Sequence, residues 1–323
     1  MARLDDVTVL RELAPHAARE YERHLRDAIP WYPHQYIPWD QGRNFEGPLH
    51  GRPWRPEDSH LPQAVTTSLV CNLLTEDNLP SYHRVLAVRL GRDDVWEQWV
   101  HQWTTEEARH STALRDYLHA TRAVDPVALE DARRHLMSTG YILGYGSSPL
   151  TALAYTTIQE LATRISHRNT GRLSGDPICE QLMRRIAHDE NMHMLFYRNM
   201  LSAAFDLAPD QAMCALTTVV TSFRMPGHAM HGFARQAEEV AEAGIYDLRI
   251  HHDDILQPLL RTLRVRQRTD LRCEGQKARD MLLRHIDRIQ LRARRQTAQH
   301  AESGRAAARH HADVPLSRGR HST

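Results

Sequence analysis

Nowhere do apolar residues run for the ~20 positions that a bilayer-spanning helix needs, so no transmembrane segment is expected. The N-terminal stretch carries Asp5, Asp6 and Glu12 and no apolar block, so no secretory or transit signal is expected either. Cysteine is scarce: Cys71, Cys179, Cys214 and Cys273 stand far apart and form no C-x-x-C. That argues against a disulfide framework or a structural zinc site and fits packed thiols in a reducing, cytoplasmic setting. Lysine is almost missing, Lys277 being the single example, and glycine is sparse at 15 residues. No segment alternates apolar and polar residues with strand period, so the fold class expected is all-α.

What is present is enough for a large core, with 41% hydrophobic residues in 323. Charge is unevenly spread: from residue 261 onward there are 16 basic and 6 acidic residues, behind a body that is acidic overall. The expectation is one domain over residues 1–295 and a basic, disordered tail over 296–323, with the basic region suited to an acidic partner.

Taken in order, residues 7–28 read as an amphipathic helix ended by Pro30. The proline- and aromatic-rich stretch from Trp31 to about residue 62 reads as an extended arm laid over the core. Helical periodicity resumes over 61–90, with Pro80 marking a kink or a second helix, and continues over 94–119 and 126–143. Ser148 and Pro149 have the cap-and-first-turn pattern of a helix reaching about Asn169. Gly175-Asp176-Pro177 opens another, 209–243 supplies one or two more, and a last helix covers about 277–297.

Within this frame one pattern repeats. Glu107/His110 and Glu190/His193 are E-x-x-H steps, and each follows a lone glutamate, Glu76 thirty-one positions before the first and Glu160 thirty before the second. Positions i and i+3 share a helix face, so each step aims a carboxylate and an imidazole at one point. Two such helices plus two carrying a glutamate each form the inner wall of a ferritin-like four-helix bundle around two metal ions. With 18 Glu and 22 His in the chain, an isolated E-x-x-H carries little weight. A third one, Glu57/His60, lies among Pro53, Pro56 and Pro62, where no helix holds the face, and is read as a chance match. Glu107 and His110 share a stripe with Trp96, Val100, Trp103 and Leu114, so they are expected to be buried, where an unpaired carboxylate is costly. Oxygen and nitrogen donors without sulfur suit iron or manganese.

The residues around these positions resemble the soluble acyl-carrier-protein (acyl-ACP) desaturases of the stearoyl Δ9 type, in their actinobacterial form. The resemblance rests on Leu74-Thr75-Glu76-Asp77-Asn78-Leu79-Pro80-Ser81-Tyr82, Trp103-Thr104-Thr105-Glu106-Glu107-Ala108-Arg109-His110, Tyr155-Thr156-Thr157-Ile158-Gln159-Glu160-Leu161-Ala162-Thr163 and Ile186-Ala187-His188-Asp189-Glu190-Asn191-Met192-His193. It also takes in Ile165-Ser166-His167-Arg168-Asn169-Thr170 and Glu274-Gly275-Gln276-Lys277-Ala278-Arg279-Asp280, and spans about 30 to 295. It implies two iron ions per chain held by Glu76, Glu107, His110, Glu160, Glu190 and His193. It further implies Thr163 as a proton-delivery candidate, whose competing role is a bond to its own helix backbone. Asp189 would orient His110, and Trp39 would carry electrons inward through that pair. The implied reaction is O2-dependent desaturation of a saturated acyl chain on acyl-carrier protein, in fatty-acid biosynthesis. The resemblance further implies a ferredoxin-type electron donor and a homodimer, with no nucleic-acid partner. Ala152, Leu153 and Tyr155 are candidates for the tunnel wall. Alternatives are a di-iron hydroxylase or N-oxygenase, or a ferritin-like iron- or carrier-binding protein without turnover. Two departures from the plant-type pattern stand out: Asn191-Met192 replace a Lys-Arg pair near a surface that the resemblance implies for partner binding, and Ala108 replaces Asn.

Overall fold

A computed structural model of the chain describes residues 3–91, 94–140, 148–230 and 232–312. Among them the architecture is helical, with one isolated bridge between Phe45 and Arg52. Helix α1 (Asp6–Asp27) leads into the arm, which holds three short 3-10 turns. Next come α2 (Gln63–Asp77), α3 (Leu79–Leu90), α4 (Asp94–Ala120) and α5 (Pro126–Thr139). The second half contains α6 (Pro149–Leu173), α7 (Pro177–Leu207), α8 (Pro209–Ser222) and α9 (Phe233–Glu242). It ends with α10 (Leu248–Ile250), a π-helical stretch His251–Leu256, α11 (Gln257–Thr262) and α12 (Cys273–Ala312). No helix among the described residues is long and apolar enough to cross a membrane.

Local chemistry sets the boundaries. Asp125, Ser148 and Asp176 each accept a backbone N–H from the first turn of the helix they precede, and each is followed by a proline whose missing N–H is not needed there. The ambiguity at Pro80 resolves as a new helix: α2 ends at Asp77, Asn78 turns the chain, and Pro80 falls in the first turn of α3. The expected break at 144–146 lies outside the described residues. Helix α12 begins before 277 and continues past 297 to Ala312, so the tail expected from 296 starts inside it. Its Ala, Arg and Gln residues are good helix formers. The helical run over 248–262 is too short and interrupted for its periodicity to mark it as helix.

The bundle is built on α2, α4, α6 and α7. Helices α6 and α7 approach closely at Gly171, where a Cβ would lie 2.8 Å from Met183 Cβ and 3.2 Å from Glu180 Cα. The apolar interior forms two clusters. One contains Val95–Trp103 positions of α4 and Met194–Phe205 positions of α7; the other contains Ala113–Ala120 positions of α4 and Cys179–Ile186 positions of α7. Between them on both helices lies a short buried polar stretch.

The arm is clipped down by Arg122, which is buried and donates to the carbonyls of Asn44, Arg52 and Pro53 at 3.3, 3.2 and 3.0 Å. The same guanidinium pairs with Asp58 at 2.8 Å and lies over the Phe45 ring. Charged hydrogen bonds of this kind contribute more than neutral ones. Replacing Arg122 by Leu is expected to lower unfolding free energy by about 2–4 kcal/mol and to open residues 43–58 to protease, read by denaturant melts and limited proteolysis.

Candidate metal centre

The polar layer between the two apolar clusters contains all six residues of the repeated pattern. Glu76 is in the last turn of α2, Glu107 and His110 are on α4, Glu160 is on α6, and Glu190 and His193 are on α7. None is more than 6% exposed. They form two overlapping groups, Glu76, Glu107, His110 and Glu190, and Glu107, Glu160, Glu190 and His193. Within each group the potential ligand atoms all lie within 4.8 Å of one another. Glu107 and Glu190 belong to both groups, so each would be available to both ions if two were bound.

Each imidazole turns Nδ1 inward. His110 Nδ1 lies 3.4 Å from Glu107 and 3.3 Å from Glu190, and His193 Nδ1 lies 2.8 Å from Glu107 and 3.5 Å from Glu160. Yet both Nδ1 atoms, with Glu107 Oε1, Glu160 Oε2 and Glu190 Oε1, are buried without a properly directed hydrogen bond. Such orphaned donor atoms converging on one space fit a metal pair. Protonation points the same way. Burial, then the charges of Glu107 and Glu190, push the Glu76 carboxyl well above its usual range. Burial, Glu190 and Glu107 do the same to Glu160. Burial opposes ionisation of Glu107 too, but His110 and His193 outweigh it and hold that carboxyl low. Burial opposes protonation of the imidazoles, but Glu107 with Asp189 raises His110, and Glu106 with Glu107 raises His193, well above the usual range. A set that takes up protons wherever it can is short of positive charge.

Outside this ring each imidazole directs Nε2 at a second acid, and the pairs cross between helices. His110 Nε2 faces Asp189 Oδ2 at 3.4 Å, and His193 Nε2 is 2.8 Å from Glu106 Oε2. Asp189 is the predicted partner of His110. Glu106 was missed in the sequence, although it and Asp189 occupy the same place, immediately before an E-x-x-H glutamate. Behind Glu106 stands the buried His24 of α1, whose Nε2 is 3.0 Å away. Trp103 donates to Glu160 Oε1 at 3.1 Å.

Trp39 requires a correction. It is 55% exposed, and the indole that reaches the centre is that of Trp31, which donates Nε1–H to Asp189 Oδ2 at 2.7 Å and lies parallel to the His110 ring with centroids 6.3 Å apart. Both tryptophans sit among prolines in the arm, and nothing in the local sequence tells which one turns inward. Thr163 Oγ1 lies 3.1 Å from the carbonyl of Glu160, the expected bond to its own helix backbone, and also 2.5 Å from Glu190 Oε2, a contact that the sequence does not predict. His167 adds a seventh buried donor beside the ring. Its Nε2 lies 3.5 Å from Glu76 Oε1, and burial pushes its imidazole down to about 4. Met192 is 6% exposed, so that half of the Asn191-Met192 departure lies inside the fold and not on a partner surface.

Comparison with known proteins agrees with this geometry. The fatty acid desaturase family profile matches residues 5–313. The chain belongs to that family. It is an oxidoreductase by that membership. It is 44% identical over 323 residues to the putative acyl-[acyl-carrier-protein] desaturase DesA1 of Mycobacterium tuberculosis, covering 96% of this chain and 95% of that protein. It is 31% identical over 283 residues to the chloroplastic stearoyl-[acyl-carrier-protein] 9-desaturase 6 of Arabidopsis thaliana, covering 81% of this chain and 72% of that protein. The X-ray structure of the putative acyl-ACP desaturase DesA2 from Mycobacterium tuberculosis superposes with a TM-score of 0.68 at 29% identity, covering 81% of this chain and 97% of that one.

Replacing Glu107 by Ala, which removes a carboxylate common to both groups, is expected to abolish stoichiometric metal binding. Replacing the exposed Glu57 by Ala should leave metal content unchanged. Elemental analysis of both purified variants checks this.

Proposed function

We propose that the chain desaturates a saturated acyl chain carried on acyl-carrier protein, with O2 as oxidant and a ferredoxin-type donor of two electrons. In this reading Glu76, Glu107, His110, Glu160, Glu190 and His193 hold two iron ions. The protein works as a cytoplasmic homodimer, its four free cysteines fitting a reducing compartment. The 44% identity to a protein named for acyl-[acyl-carrier-protein] supports the substrate class.

The observation that carries the proposal is a buried cluster of carboxylates and imidazoles that could hold two metal ions, with a narrow cavity at its edge. Glu76 and Glu107 reach the wall of a narrow cavity of about 30 Å³ otherwise lined largely by Thr75, Tyr82, Val85, Leu86, Trp103 and Tyr155. Of the three tunnel candidates, Tyr155 lines it. Thr75 also borders a second cavity of about 510 Å³, walled by Val220, Phe223, Met225, Phe233 and Val240, with His285 and Arg292 of α12 among its polar residues. An alkyl chain laid from the larger cavity past Thr75 would bring a methylene pair to the Glu76–Glu107 side, with the carrier outside on the basic C-terminal region. The narrow part has room for about one water, so the chain enters by displacing the Tyr82, Val85 and Leu86 side chains, which then exclude solvent around it.

Bound iron supplies oxygen activation and removal of the two hydrogens, chemistry that side chains alone lack. The protein contributes position, dryness and proton control. Thr163 holds or passes a proton at Glu190 Oε2. Asp189 and Glu106 keep the two imidazoles turned Nδ1-inward. Trp31, in place of Trp39, joins the arm to Asp189 and His110 as the aromatic link toward the electron donor.

Iron-loaded protein incubated with saturated acyl-ACP of graded chain lengths, ferredoxin, its reductase and O2 should give products lighter by two hydrogens, read by mass spectrometry. Two bound irons with no such product at any chain length, or an added oxygen atom instead, would sink the desaturase reading. Thr163→Val should retain iron and lower turnover on the order of 10²-fold, the size expected for loss of a proton-transfer group.

A further inference from the structure

The inner donors of the two halves match, but their outer supports do not. Each half uses Glu107 and Glu190, one further glutamate and one histidine Nδ1. Behind His110, Asp189 is paired with the guanidinium of Arg185 one turn earlier on α7 and with that of Arg109 at 3.4 Å, and it also accepts the Trp31 indole. Behind His193, Glu106 is met by the His24 imidazole at 3.0 Å and the Gln102 amide at 2.6 Å, with Arg109 only at 3.8 Å. Both acids are buried, 5% and 4% exposed, so solvent does little to even out the difference.

Two permanent cations therefore compensate Asp189, while Glu106 has one at the edge of contact. A carboxylate already claimed by guanidiniums polarises the imidazole N–H that it accepts less strongly. An imidazole bonded to the less compensated acid is the stronger electron-pair donor at its other nitrogen. The remaining differences are neutral or local: Trp103 donates to Glu160, and the His167 imidazole lies beside Glu76.

We infer that the centre is built asymmetric, with the half formed by His193 and Glu160 in front of Glu106 and His24 the tighter cation position, and the half formed by His110 and Glu76 in front of Asp189 the weaker. The weaker half is thus the one filled second and emptied first. Helix α1, through His24, becomes a positioning element for one ion only. The inference rests on the six residues holding two metals.

The test loads metal-free, full-length protein with one equivalent of Mn2+ per chain and reads the occupancy of the two positions by anomalous diffraction. Greater occupancy beside His193 is expected. Glu106→Gln, which keeps the shape and an acceptor but removes the charge, should lower affinity there roughly tenfold or more and move the manganese toward His110. Arg185→Gln, which uncovers Asp189 and leaves Glu106 alone, should narrow the preference, and it keeps the test open if Glu106→Gln does not fold. Equal occupancy in the parent protein, preference for the His110 side, or a preference untouched by either substitution overturns the asymmetry. Manganese at neither position overturns the metal-centre reading itself, and the asymmetry falls with it.

Discussion

Four carboxylates facing one another inside a helical bundle are the constraint on which the rest of the structure depends. Ligand atoms within 4.8 Å of each other repel by about 3–4 kcal/mol per pair of unit charges at an effective dielectric of 20, and burial adds a desolvation cost for each. Protons relieve this partly, as the raised carboxyls of Glu76 and Glu160 indicate. Two divalent cations would offset four carboxylate charges. The fold accepts the strain because two apolar clusters, one on each side of the polar layer, hold α4 and α7 in place whatever the charge between them.

The ring of ligands is itself held from outside. The acid before Glu107 and the acid before Glu190 each face the imidazole of the opposite helix, so α4 and α7 are tied together twice. Both ties are then reached by the N-terminal region: His24 of α1 meets Glu106, and Trp31 at the start of the arm meets Asp189. Removing freedom from the imidazoles in this way costs ordering entropy beforehand and leaves less to be lost when a metal arrives.

The cavities give the centre a direction. Its Glu76–Glu107 side borders a narrow cavity lined in part by Tyr82, Val85, Leu86 and Tyr155, whereas the Asp189–Trp31 side is flanked by Arg109 and Arg185, both near the Trp31 ring. In the desaturase reading proposed above, an apolar substrate and an electron donor would then approach the centre from different sides.

Much of this was legible in the amino-acid order. Helical periodicity, cap-and-proline signals and the doubled E…E-x-x-H pattern determined an all-α bundle with six residues that the structure brings together, because i and i+3 share a helix face wherever the helix is placed. Setting aside Glu57/His60 also followed from local chemistry, since prolines deny it a helix. Pairing across the bundle was a different matter. That Glu106 serves His193, that Asp189 serves His110, that Trp31 and not Trp39 turns inward, and that Met192 is buried depend on how α1, the arm, α4 and α7 pack. His24 and Glu106 are 82 positions apart, and Trp31 and Asp189 are 158. No local rule links residues at such separations. Sequence by itself determined which side chains could bind metal; tertiary packing decided what stands behind each of them, because a buried charge takes its character from neighbours that only the folded chain supplies.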